Sequence, residues 1–225
     1  MPARTETYTT IQARIHAAAA LRGTVVRLLA VSKTQPAAAV RALAAQGQRD
    51  FGENYVQEAL AKQRELADPA LCWHLIGPLQ SNKCREAARH FDWLESLDRP
   101  KLVPLLARER PAGSPPLNVL VQVNVDDENS KSGCAPDQAL ALCEAVAAQP
   151  RLALRGLMAI PAPRARMDAR RASFQRMHAL FASIRPRFPG FDTLSMGMSE
   201  DFELAIAEGA TEVRIGSALF GARPG

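Results

Sequence analysis

An eightfold alternation of short apolar runs and helical patterns limits this chain most. The runs fall at residues 25–31, 49–53, 72–77, 92–97, 117–125, 152–160, 192–198 and 212–215. Several are apolar at consecutive positions, so both faces are expected to be buried, as in parallel strands covered by helices. Helices are expected between them at about 36–47, 55–67, after 81, then 100–110, 137–149, 169–187 and 201–208. Eight such units in 225 residues suit an α/β fold of one kind, a closed (β/α)8 barrel of the TIM type. An open doubly wound sheet is the rival. It is weakened because no Gly-x-Gly-x-x-Gly follows the first strand. Ahead of that strand, Ile11, Ile15 and Ala18 recur at helical intervals. They predict an extra N-terminal helix over about 8–21, packed outside the barrel. The Pro- and Gly-rich stretch 111–116 reads as a surface connection, so 1–225 is expected to be a single domain.

Composition narrows the chemistry. Apolar residues make up 47% and aromatics only 5%, so the core must be aliphatic and alanine-rich. The formal charge of +5 suits an anionic small ligand as well as nucleic acid, and decides little. The densest basic cluster, Arg164, Arg166, Arg170, Arg171 and Arg176, reads as a solvated helix face. Cys72, Cys84, Cys134 and Cys143 show no metal-ligand spacing and no disulfide framework. No apolar stretch has the length of a leader or a membrane span. A cytoplasmic protein with neither membrane nor nucleic acid as partner is the expectation.

Barrel closure would set the first strand beside the eighth. Lys33, just past the first strand, and Gly216-Ser217, just past the eighth, would then share the C-terminal rim, where such barrels place their sites. The turns 195–199 and 216–217 occupy the loops after strands seven and eight, the usual phosphate position. An amine and a phosphate cradle together suggest a phosphorylated aldehyde held as a Schiff base. Arg214, two residues before Gly216, faces the same side and needs an acceptor there, a ring nitrogen or an anion. Asn54, His74, Gln80, Asn124, Asp126, Met158 and Pro161 also fall near strand ends. Blander readings stand beside these. Lys33 could snorkel, Asn54 or Ser199 could cap the helix that follows, and His74 could be a hydrogen-bonded core residue. Lys131 reads as a solvated loop lysine or a second amine near the mouth.

Several stretches resemble the pyridoxal phosphate homeostasis protein family. They include Ala30-Val31-Ser32-Lys33-Thr34, Phe51-Gly52-Glu53-Asn54-Tyr55-Val56-Gln57-Glu58 and Trp73-His74-Leu75-Ile76-Gly77-Pro78-Leu79-Gln80-Ser81-Asn82-Lys83. So do the Asp127 to Gly133 stretch, Gly156-Leu157-Met158-Ala159-Ile160-Pro161, Leu194-Ser195-Met196-Gly197-Met198-Ser199 and the segment from Val213 to Gly221. The likeness runs from about residue 8 to the C-terminus. It implies a barrel like the N-terminal domain of alanine racemase, with pyridoxal 5'-phosphate joined to Lys33. It also implies phosphate contacts from Ser199, Gly216 and Ser217, with Arg214 near the pyridine nitrogen; Asn54 and His74, from their places near strand ends, are expected in the same cofactor site. Ser217 stands where many relatives have threonine, which keeps the hydroxyl.

The same resemblance implies a carrier or buffer of the cofactor that affects amino-acid and keto-acid balance, with no catalytic residues. A low-activity amino-acid racemase is the alternative, and a cofactor-free Schiff-base aldolase is a third reading. Alanine racemase takes a tyrosine base from a second domain. Here the sequence stops at Gly225, and Tyr8 and Tyr55 are the only tyrosines. The expected partners are the cofactor itself and cofactor-dependent apoenzymes, and the expected state is a monomer.

Overall fold

The computed structural model describes residues 6–126, 132–161 and 166–221; Lys131 and Arg164 lie outside the described residues. Eight strands close into a barrel in chain order: β1 (Arg27–Val31), β2 (Asp50–Glu53), β3 (Cys72–Leu75), β4 (Trp93–Leu97), β5 (Leu117–Gln122), β6 (Leu152–Met158), β7 (Thr193–Met198) and β8 (Glu212–Ile215). Every pairing is parallel, and β8 returns to β1 with Ala30 opposite Ile215. The expected closure is therefore present.

Strand lengths differ from the apolar runs. β1 begins at Arg27, and Val25 is 89% exposed. β5 stops at Gln122; the Val123 amide still donates to the Met158 carbonyl, and Val123 bridges Cys134.

Around the barrel lie α2 (Ala37–Ala44), α3 (Val56–Leu66), α4 (Cys84–His90), α5 (Val103–Glu109), α6 (Ala139–Ala147), α7 (Met167–Ile184) and α8 (Phe202–Ala207). A one-turn helix, α9 (Ser217–Phe220), follows β8. Outside them is α1 (Tyr8–Ala20), capped by the Thr7 hydroxyl, which accepts from the Thr10 amide. It buries Ile11, Ile15 and Ala19, worth about 1.5–3 kcal/mol for each isoleucine. Arg14 pairs with Glu203 of α8 at 2.8 Å, and the Glu6 amide donates to the Ala218 carbonyl.

Outward residues such as Leu28, Ala30, Phe51, Leu75, Leu94 and Val119 join the main core between strands and helices. The inward side corrects the expectation of strands apolar on both faces. Asp50, His74, Glu95, Ser195, Glu212 and Arg214 project into the lumen. Bonds between β4 and β7, which are not neighbours, cross it. Most such barrels fill this space with branched aliphatic residues.

The arginines of α7 are paired as well as solvated. Arg171 bonds Glu208, and Arg176 bonds Asp126. Burial pushes the Cys143 thiol up to about 12, as befits a small core residue.

Candidate functional site

Lys33 is presented by a braced turn. Its neighbours are held from outside by α3. The Ser32 hydroxyl donates to Glu53 at 2.5 Å, and the Lys62 ammonium donates to the Ser32 carbonyl, Glu53 and Glu58, each at 2.7 Å. Thr34 has a φ of 64°, unusual for a β-branched residue, and its amide donates to Glu58. Such strain persists only where surroundings enforce it, and here the Glu58–Lys62 pair does so. Burial pushes the Glu53 carboxyl up although Lys62 and Ser32 both donate to it. Lys33 lies between these two tied residues, half-buried in the turn just past the C-terminal end of β1.

The turn after β8 lies beside that strand end. A Cβ on Gly216 would stand 3.4 Å from the Val31 side chain and carbonyl. Ser217 is exposed, and the Ala218 amide donates to the Ser199 hydroxyl at 3.4 Å. The Ser199 hydroxyl thus meets an amide at the start of α9, next to Ser217. Ser199 is not a cap for α8. That helix starts after Asp201, whose carboxylate accepts from the Met198 amide. Gly197 forms the bend before Ser199 at φ 93°, where a Cβ would fall 2.5 Å from the Ala205 methyl.

Arg214 is buried below this turn. It donates to the Ser195 hydroxyl at 2.7 Å and to the Ala159 carbonyl at 2.8 Å. Burial lowers its guanidinium; Glu95, Glu212 and Asp201 counter that. The Ser195 hydroxyl donates to Glu95 at 2.8 Å, and His74 Nδ1 lies 2.7 Å from the other Glu95 oxygen. His74 Nε2 faces Asp50 at 3.2 Å, and its ring stacks on Trp93. Burial alone would lower His74, but bonds to Asp50, Cys72 and Glu95 outweigh it and hold the ring well above its usual range. A doubly donating imidazolium between two carboxylates is the consistent state. Burial would likewise raise Glu95, yet donation from His74 and the fields of His74 and Arg214 hold it below the usual range.

The structure thus brings Lys33, Ser199, Gly216, Ser217 and Arg214 to one mouth. Asn54 lies at the same rim after β2. Tyr55, not Asn54, occupies the cap position of α3, and it makes no side-chain cap bond. The Asn54 backbone is pressed by Gly77, where a Cβ would stand 2.2 Å from the Asn54 carbonyl. His74 is fully buried within β3, and carboxylates face both ring nitrogens. Ser195, expected in a rim loop, is a buried strand residue; Met158, expected at strand six, ends β6 and packs on Trp93 and Leu120.

Sequence reasoning missed Glu58, Lys62, Glu95 and Glu212 as parts of this architecture. A polar residue every second position in an apolar strand, as in Glu212 and Arg214, was the available sign. Two other cavities lie elsewhere. One of about 280 Å³ lies against α4 and α5; one of about 370 Å³ opens at the opposite mouth beside Arg27, Asp192 and Thr211.

A barrel with a lysine after its first strand and a glycine–hydroxyl turn after its eighth defines a class. Residues 8–224 match the profile of that class, described as alanine racemase, N-terminal domain. Within it, the chain belongs to the pyridoxal phosphate homeostasis protein family. It is 60% identical over 216 residues to the pyridoxal phosphate homeostasis protein of Pseudomonas aeruginosa, covering 95% of this chain and 93% of that one. The Escherichia coli K12 protein of the same name is 54% identical over 201 residues, covering 88% and 86%. The structure of PipY from Synechococcus elongatus with pyridoxal phosphate bound superposes with a TM-score of 0.80 at 42% identity, covering 92% of this chain and all of that one.

Proposed function

We propose that this chain binds pyridoxal 5'-phosphate reversibly through Lys33 and serves its homeostasis, as a buffer and donor of the cofactor. One observation carries the reading. The Lys33 turn and the Gly216–Ser217 turn flank the adjoining ends of β1 and β8, where a Cβ on Gly216 would stand 3.4 Å from Val31. That donor set fits the ligand: an amine for the aldehyde, and hydroxyls with backbone amides for the phosphate. When bound, the cofactor supplies an electrophilic aldehyde on an electron-withdrawing ring. Ser199, Gly216 and Ser217 hold its phosphate. Arg214 meets the ring nitrogen and, being a cation, keeps a proton off it. Asn54 lines the same rim at the end of β2, the neighbour of β1, and His74 acts only through the buried chain.

An unprotonated ring nitrogen makes a weak electron sink, which suits storage better than turnover. Tyr8 lies outside the barrel on α1, bonded to Gln12, and Tyr55 is 63% exposed. Neither is held over the mouth as a base. The relatives also carry a homeostasis name rather than an enzyme's. We place the protein in the cytoplasm as a monomeric single domain, serving cofactor-dependent apoenzymes and so amino-acid and keto-acid balance. Among the described residues no helix is long and apolar enough to cross a membrane.

The test is an absorbance spectrum of purified protein incubated with pyridoxal phosphate, before and after borohydride, with peptide mapping. A visible band that borohydride fixes onto Lys33, absent in Lys33→Ala, is expected. A colourless wild-type protein would refute the reading. The racemase reading draws on the match to a racemase-domain profile. Solvent-deuterium exchange at Cα above that of free cofactor would establish it.

A further inference from the structure

The lumen carries a continuous polar chain that cofactor contacts alone do not require. It runs from Arg214 to Ser195, from Ser195 to Glu95, and through His74 to Asp50. Glu95 is its centre. It projects from β4, is fully buried, and crosses the lumen to reach Ser195 on β7. Burying such groups is costly compared with an aliphatic filling, so the arrangement demands a reason.

The hydroxyl of Ser195 supplies it. A serine has one proton to give and lone pairs to accept. Glu95 takes that proton, so the lone pairs turn toward Arg214 and accept from it. The second anchor, the Ala159 carbonyl, fixes the other guanidinium nitrogen. An arginine side chain is otherwise free to adopt many rotamers. Held at both terminal nitrogens, it has one orientation, on the side of β8 that leads to Gly216. His74 keeps Glu95 ionised, so the acceptor stays an acceptor.

We infer that Glu95 is a positioning residue for cofactor binding: acting through Ser195, it aims the Arg214 guanidinium at the ring-nitrogen edge of the bound cofactor. The inference rests on the proposed cofactor-binding reading. It adds a specificity element, since a ligand with the same aldehyde and phosphate but no ring nitrogen should not sense Glu95.

The experiment compares wild type, Glu95→Gln and Ser195→Ala by equilibrium dialysis against two probes. One is pyridoxal phosphate; the other is its carbocyclic analogue, with CH in place of the ring nitrogen. Inorganic phosphate serves as competitor. Both variants should bind pyridoxal phosphate about tenfold more weakly, the loss expected for one misdirected charge-assisted hydrogen bond. Their affinity for the analogue, and the strength of phosphate competition, should stay within about twofold of wild type. Equal weakening toward both probes would make Glu95 merely structural and overturn the inference, as would unchanged binding of pyridoxal phosphate. Ser195→Ala removes no buried charge and decides the matter if Glu95→Gln fails to fold. A wild-type protein that binds neither probe would instead sink the parent reading. Wild-type binding with unaltered variants sinks only this one.

Discussion

Replacing Glu212 by glutamine should stabilise the protein increasingly as pH rises. Glu212 opens β8 with its side chain fully buried in the lumen. One carboxylate oxygen has no hydrogen-bond partner, and the other lies 3.4 Å from Arg27. Burial, and then the neighbouring Glu95, push this carboxyl from an ordinary 4.5 up to about 8; His74, Arg27 and the Ser195 hydroxyl pull the other way without prevailing. The folded chain therefore keeps a proton that the unfolded chain releases. Its stabilising contribution is complete below pH 4.5, falls by about 1.4 kcal/mol per pH unit above that, and is gone once pH passes through about 8. Glutamine has no charge to bury and escapes this loss. The advantage of Glu212→Gln over wild type should grow by a few kcal/mol between about pH 5 and 9, most of it before pH passes through about 8. Urea denaturation of cofactor-free protein at fixed ionic strength, at each pH, measures it. A stability difference that is flat with pH, or that grows toward acid, would refute the reasoning.

Other outcomes follow from the same contacts. Lys62→Met leaves Glu53 buried without its ammonium, and should cost about 3–5 kcal/mol in urea denaturation. It should also weaken cofactor binding, because the Thr34 turn loses its brace. Gly77→Ala places a methyl against the Asn54 carbonyl and should destabilise by about 1–3 kcal/mol on a thermal or urea scale. Ser199→Ala and Ser217→Ala should each weaken pyridoxal phosphate binding about five- to tenfold while leaving the melting temperature of cofactor-free protein nearly unchanged. Dialysis and calorimetry on the same samples separate the two effects.

The amino-acid sequence by itself determined the alternation of strand and helix, because burial on both faces needs apolar runs and covering helices. It also placed Lys33 past the first strand and Gly216-Ser217 past the last, since those positions follow from counting units. Closure then made them neighbours, and the barrel provides it through the Ala30–Ile215 pairing. What only the tertiary structure decided is which polar side chains meet. Ser195 and Glu95 are 100 residues apart and join only across the lumen. His74 is an inward histidine in any alternation count, but its role depends on Asp50 and Glu95 arriving from flanking strands. Lys62 looks like an ordinary helical surface lysine until α3 docks and buries it against Glu53 and the Ser32 carbonyl. A strand's period tells which residues share a face. Whether that face looks onto helices or into the lumen, and what stands opposite, is settled only when the ladder closes.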